Sequence, residues 1–225
     1  MFDQLIIGDK ASFDDFRASL ATRKIGMPPK KTIRETVPFS NETYDFSRIN
    51  GELYWEEREL EYVFEITANT PERLEEYKAA FADWVLNVFE EKIFDPFVPD
   101  HHFLGTYDDM SFEDDESLEK TTASVKFKAY PYKIANTPTV FSVDVPAMNE
   151  KTLVVLNGSS HRITPTITAS AAFILKYGND SYASTAGTFT DSQLMLGVGV
   201  NEVRVQNGNE GESLTLSISF HEEVF

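Results

Sequence analysis

Leu60-Glu61-Tyr62-Val63-Phe64-Glu65-Ile66, followed three residues later by Thr70-Pro71-Glu72, contains the change of period that decides the fold. Leu60, Tyr62, Phe64 and Ile66 alternate with Glu61 and Glu65, as in a strand with one face in water. Val63 breaks the alternation and leaves the outer face apolar enough to meet another layer or subunit. The period then lengthens: Leu74, Tyr77, Phe81, Trp84, Val85 and Val88 recur at spacings of three and four, which predicts a helix over 70–90 with a single apolar stripe. Thr70 is its expected N-cap, Pro71 suits the first helical position, and Glu72 complements the helix dipole. No polar groups converge on the bulky aromatic stripe, so it reads as core packed on a sheet.

Working outward, the remaining pattern is β. Residues 32–66 form the first organised stretch, and 92–115 is rich in Asp, Pro and His, with turns at Asp95-Pro96, Val98-Pro99 and Gly105 around short strands. Thr122-Ala123-Ser124-Val125-Lys126-Phe127-Lys128-Ala129-Tyr130 alternates again and stops at Pro131. Asn136, Thr137 and Pro138 form an expected linker. Beyond it, strands are predicted at 140–145, 152–156, 163–167, 173–177, 193–196, 202–205 and 213–220, with turns at Asn157-Gly158, Gly178-Asn179, Asn207-Gly208 and Gly211. Short strands at regular intervals are the mark of a sandwich. The expected domains are therefore 1–136 and 137–225, with 221–225 assigned to the second and a return to the first left open.

The composition narrows the function. The chain has 225 residues, 41% of them hydrophobic, enough to bury a core; it has no cysteine, so disulfides, thiolate metal sites and thiol nucleophiles are all excluded. The net charge of −17 argues against duplex binding, which needs clustered Lys and Arg. A solubilising surface is the plain reading, and a repulsive wall for nucleic acid sliding through a conduit is the other. Residues 1–136 carry 28 acidic and 16 basic residues against nine and four beyond, so the acidity belongs mainly to the first part. The start has no basic n-region and no apolar run reaches the length of a membrane span, so neither secretion by a signal peptide nor membrane insertion is expected.

The order of features in the first part resembles the amino-terminal domain of siphophage distal tail proteins. It has a short leading strand, an extended segment ending in Val37-Pro38-Phe39, Tyr44-Asp45-Phe46, a strand bearing Arg58, one helix, an Asp-rich hairpin and the closing Phe127-Lys128-Ala129-Tyr130-Pro131-Tyr132. The second part is similar to that family's galectin-like sandwich, with Asn157-Gly158 after Leu153-Val154-Val155, Pro165 opening the next strand, and Leu196-Gly197 then Asn201 before a Val-rich strand. The likeness covers nearly the whole chain. Two departures stand out: Pro38-Phe39-Ser40-Asn41-Glu42-Thr43 replaces a Gly-Arg-Asp-Gly-type turn, and His101-His102 stands where tyrosines are common.

The resemblance implies a mainly β chain: an N-terminal β-barrel-like, ring-forming (belt) domain with one packed helix, then a C-terminal galectin-like β-sandwich. It implies a non-enzymatic structural virion protein of a tailed phage or prophage, needing no cofactor and assembled in the bacterial cytoplasm. It also implies a homohexameric ring at the distal end of the tail, joining the tail tube protein to the tail tip protein and the host-adsorption apparatus, in some phages docking receptor-binding proteins. DNA would pass through its channel without specific binding. The alternative is a carbohydrate-binding attachment module of the tail tip.

Among residues with chemical potential, Asp95, Asp100, His101, His102, Asp108 and Asp109 offer metal donors, but adjacent strand residues face opposite ways and no known metal-ligand spacing is present. A charged hairpin tip is the favoured reading, and no metal site is expected. Ser159, Ser160 and His161 lack the nucleophile elbow of a hydrolase. Lys24, Lys30, Lys31 and Arg34 form the sole basic cluster, beside Met27-Pro28-Pro29, and are the candidate subunit contacts, expected to meet an acidic face of a neighbouring copy. Tyr177, Tyr182 and Phe189 are the candidate glycan contacts, with core packing the competing role for Tyr177.

Overall fold

The computed structural model describes residues 3–36, 38–39, 41–48, 52–116 and 119–225. Val37 and Ser40, in the segments quoted above, lie outside them. The chain divides into two compact units, Met1–Lys133 and Ile134–Phe225. Among the described residues no helix is long and apolar enough to cross a membrane.

The first unit contains β1 (Ile6–Ile7), β2 (Lys10–Ala11), α1 (Ser12–Phe16), β3 (Ala18–Ile25), β4 (Arg34–Thr36), β5 (Thr43–Asp45), β6 (Arg58–Thr67), α2 (Pro71–Leu86), β7 (Glu91–Phe94), β8 (His101–Asp114) and β9 (Lys120–Ala129). Antiparallel pairing gives the order β2-β1-β7-β8-β9-β6-β3, while β4 and β5 form a separate two-stranded sheet. The alternation that predicts β6 also sets its register: Leu60, Tyr62, Phe64 and Ile66 are buried beside Phe127, Val125, Ala123 and Thr121 of β9.

Against this face α2 lays its stripe. Thr70 Oγ1 accepts from Arg73 N–H at 3.3 Å, and Leu74, Phe81 and Val85 are buried. Phe81 is the hinge of an aromatic cluster, with ring centroids 5.2 Å from Phe64, 5.7 Å from Trp84, 6.4 Å from Phe16 and 6.5 Å from Phe112. The helix stops at Leu86, short of the predicted 90, because Asn87 Nδ2 donates to Asp83 O at 2.6 Å and Val88 N–H turns tightly back to Val85 O at 3.1 Å. Val88 nonetheless stays in the core. A second, five-residue helix, α1, was not foreseen. The Asp-rich segment also differs from its predicted short strands: β8 is 14 residues long, bent by a register shift between Tyr107 and Asp109.

After β10 (Lys133–Ala135), the second unit holds β11 (Thr139–Val145), β12 (Glu150–Asn157), β13 (Thr166–Ala169), β14 (Phe173–Tyr177), β15 (Asp180–Ser184), β16 (Gly187–Thr190), β17 (Gly199–Gln206), β18 (Leu214–Phe220) and β19 (Glu223–Val224). Two four-stranded sheets, β11-β18-β13-β16 and β12-β17-β14-β15, contribute to one core. Leu214, Leu216, Ile218 and Phe220 supply one side, and Val155, Leu175, Val203 and Val205 the other. The predicted strand at 193–196 is a loop carrying a single bridge between Leu196 and Ile163, and β15 and β16 form where no strand was predicted. The last residues are held by Ala135 N–H to Glu222 O and Ser160 N–H to Glu223 O, both at 2.8 Å.

Three buried asparagines pin the sandwich. Asn157 Nδ2 donates to the carbonyls of His161, Leu196 and Gly197 at 3.2, 3.2 and 3.1 Å, while its Oδ1 accepts from Ser159 N–H at 2.9 Å. Asn201 and Asn207 bind turn carbonyls in the same way. Each satisfies backbone groups that a turn would otherwise leave buried and unpaired.

Candidate assembly surfaces

The segment between β3 and β6 is an arm. Its β4–β5 hairpin pairs Arg34 with Asp45, Glu35 with Tyr44 and Thr36 with Thr43, and all six residues are exposed. A two-stranded hairpin is marginal in water without an apolar face to bury. Here the apolar side chains point outward instead: Met27, Ile33, Phe39, Tyr44, Phe46 and Tyr54 are all exposed. Local bonds hold the arm together, with Phe46 N–H donating to Ile33 O and Ile33 N–H to Ser47 Oγ, both at 2.9 Å, and Tyr44 stacked near Phe46 at 6.4 Å.

The arm carries three of the four candidate contact cations. Lys30 forms an isolated bridge with Trp55, Lys31 N–H donates to Tyr54 O at 2.9 Å, and both side chains lie in solvent. Arg34 Nε is 3.5 Å from Asp45 Oδ2 of its own hairpin. The Asp45 carboxyl is held below the usual carboxylate range, chiefly by hydrogen bonds from Ser47 and less by Arg34. Lys24 is apart from the others, on β3, with Nζ 3.8 Å from Glu61. It belongs to a mixed-charge ladder on the outer face of the main sheet, where Glu61 is opposite Lys126, Glu59 opposite Lys128, and Lys120 pairs with Glu65 at 2.9 Å.

The donor-rich segment is otherwise engaged. Asp95 is buried and accepts from Arg23 Nη1 at 2.6 Å, Tyr62 OH at 3.2 Å and Phe97 N–H at 2.9 Å. Burial, and after it the Asp95 carboxylate to which it donates, push the Tyr62 phenol far above its ordinary value. His102 is buried with its ring 5.4 Å from Phe94, whereas His101 lines a shallow apolar groove with Ile6, Phe94, Val98 and Pro99. Asp108 pairs with Lys128 at 2.7 Å. Among the described residues no three His, Asp or Glu side chains converge on a metal position.

In the second unit, Ser159 and His161 serve the chain's end rather than each other. Ser159 Oγ is buried and accepts from Glu223 N–H at 3.0 Å, and His161 Nε2 lies 2.8 Å from Glu223 Oε2. Tyr177 and Tyr182 lie on one sheet and Phe189 on the other, all three partly buried against the core. Tyr177 OH donates to Asn201 Oδ1 at 2.7 Å and accepts from Gly197 N–H, Tyr182 OH donates to Gln193 O at 3.2 Å, and Phe189 stacks on Phe173 at 5.6 Å. A surface not foreseen is the outer apolar patch of Val154, Leu156, Val198 and Val200, where Leu156 and Val200 are cross-strand partners.

Arg58 is a buried cation to which the sequence reading assigns no role of its own. It stands two positions before Leu60, in phase with the inward residues of β6, and it is buried with them. A cation in phase with a core stripe was the available signal.

No protein-family model matches the chain, and no curated protein matches its sequence. Among solved structures, the Dit protein (gp 19.1) of SPP1, described as a paradigm of the hub adsorption apparatus in phages infecting Gram-positive bacteria, superposes with a TM-score of 0.69 at 13% identity, covering 100% of both chains. The phage P2 baseplate in its activated, calcium-bound conformation aligns with a TM-score of 0.39 at 8% identity over 97% of this chain and 98% of that one. From end to end, a ladder-and-helix unit followed by a sandwich, this chain has the fold of SPP1 Dit, a siphophage distal tail protein.

Proposed function

We propose that the chain is a structural subunit of a tailed-phage or prophage tail tip. Copies of it form a ring, hexameric by the resemblance, at the distal end of the tail, joining the tail tube to the tip and host-adsorption apparatus. The observation that carries this reading is the arm. It spans a hairpin whose six strand residues are all exposed, displays Ile33, Phe39, Tyr44 and Phe46 outward, and adds Lys30 and Lys31 in a chain of net charge −17. Such a segment buries its apolar area only against another surface, and another acidic copy is the complementary one. The full-length likeness to SPP1 Dit supports the same role. DNA passing through such a ring would meet acidic rather than sticky walls. The units would be an arm-bearing belt domain, 1–136, and a sandwich, 137–225, directed to tip partners.

Mass measurement of the purified protein with negative-stain imaging tests this. A ring with an open centre is expected; a lone monomer at high concentration would refute the reading. Reversing Lys30, Lys31 and Arg34 to Glu is expected to abolish the ring at moderate salt, and unchanged assembly would remove the arm from the interface.

A further inference from the structure

Arg58 opens β6 and is 1% exposed, and among the described residues its Nε and Nη2 have no hydrogen-bond partner. Its charge rests over the Phe103 ring, 5.5 Å from the centroid. A cation–π contact offsets only part of the cost of taking a guanidinium out of water, so such groups are normally paired. Burial accordingly lowers the pKa of Arg58.

The surroundings deepen the deficit. Lys133 is close enough to be influenced by both Arg58 and Arg23, which with burial, the larger cause, lower its ammonium pKa. Asp95, the carboxylate paired with Arg23, already accepts from Arg23, Tyr62 and the Phe97 backbone. Glu59 alternates to the opposite face of β6, and Glu57 and Glu59 act instead on Lys128. Arg58 and Arg23 both act on Lys133, so three cations share this region, while the carboxylate paired with Arg23 is already committed, in a chain of net charge −17.

We propose that Arg58, flanked by Arg23 and Lys133, is a receptor for an oxyanion: a carboxylate side chain of a second copy of this chain, or a free anion of the same chemistry. Arg58 supplies the planar fork that matches such a group, and the two neighbours supply the field that draws it in. Arg58 is the first residue of β6, so its fork lies at the end of that strand and not in its middle. The second-copy form rests on the ring reading above; the free-anion form does not.

Two measurements on the full chain decide it, using Arg58→Met, with Lys151→Met as a control for loss of one surface charge. If the ligand is a second copy's carboxylate, Arg58→Met raises the protein concentration needed for assembly, measured by sedimentation, by about thirtyfold or more. If the ligand is free, replacing chloride by phosphate or acetate at constant ionic strength raises the thermal midpoint of the wild type and leaves Arg58→Met unmoved. The wild type also reports directly, since phosphate or acetate would shift the Arg58 Nε–H resonance, so a misfolded variant does not obscure the outcome. Absence of any assembly would refute the ring alone and leave the anion titration to judge the site. The proposal is overturned if Arg58→Met matches Lys151→Met in assembly and anions move neither the midpoint nor the resonance.

Discussion

Replacing Asn157 by Ala should cost the sandwich far more than the loss of a loop side chain suggests. Asn157 is 1% exposed, and its amide serves four backbone groups that close the turns around Leu196 and Ser159. Two of these bonds, to Leu196 O and from Ser159 N–H, are fully buried, and leaving such groups unpaired costs about 1–3 kcal/mol each. Taking the other two carbonyls as partly rescued by water, the loss is about 3 kcal/mol. For a unit of this size that lowers the midpoint by roughly 15 °C. Calorimetry of the full chain should show one transition moving and the other holding, since the first unit has its own core. Asn149→Ala, which removes only an exposed bond to Ala147 O at 3.2 Å, should stay within about 0.5 kcal/mol of the wild type. If Asn157→Ala behaves like Asn149→Ala, the pinning role assigned to the buried amides is wrong.

Other changes test the first unit. Phe81→Ala removes the ring joining Phe16, Phe64, Trp84 and Phe112 and should destabilise by about 3–5 kcal/mol in chemical denaturation. Asp95→Ala strands Arg23 and the Tyr62 hydroxyl and should cost about 3 kcal/mol, with Asp95→Asn costing less because it still accepts from Phe97 N–H. Thr70→Ala should cost about 1 kcal/mol and increase amide exchange in the first turn of α2. Hydrogen bonding from Lys78 first, then Thr121, holds the Asp114 carboxyl below its ordinary value. Its contribution to stability is therefore full above the ordinary aspartate range and is lost as pH falls through the depressed value. Lys78→Met should return the Asp114 midpoint, followed by NMR, toward that range.

What could be read in advance was whatever the side-chain period dictates. α2, β6, β9 and β18 were legible because each buries one face against a large partner, and that burial forces a repeat of 3.6 or 2 on the sequence. The same rule misled at 193–196. Leu194 and Leu196 both point inward, but Asp191 Oδ1 accepts from Gln193 N–H at 2.9 Å and the Asp191 carbonyl from Leu194 N–H at 3.1 Å. The backbone is thereby spent on a turn, and inward alternation survives without a ladder. β15 and β16 failed the other way: edge strands with Ser, Ala, Thr and Gly carry little apolar signal, and their neighbours decide them. Asn157, Asn201 and Asn207 look like ordinary turn formers in sequence, because burial of an amide is a property of what surrounds it.

The arm and Arg58, on which the two assembly proposals rest, also differ in legibility, for a physical reason. The arm's cations were visible as a cluster because Lys30, Lys31 and Arg34 are adjacent in sequence, whereas the outward apolar side chains beside them acquire meaning only once β4 and β5 are seen outside the main sheet. Arg58 lies over Phe103 of β8 and, with Arg23 of β3, acts on Lys133 at the start of β10, so no local pattern announces it. An arm exposing apolar area and a buried guanidinium with two nitrogens unpaired among the described residues are opposite faults in a lone chain, one too little covered and the other too little solvated. A single event, docking against another acidic copy, would relieve both: apolar area would leave water and a carboxylate would reach the cation. If assembly proves sensitive to the arm reversal and to Arg58→Met by more than the sum of the two, the surfaces meet the same neighbour; strict additivity would place them at separate contacts.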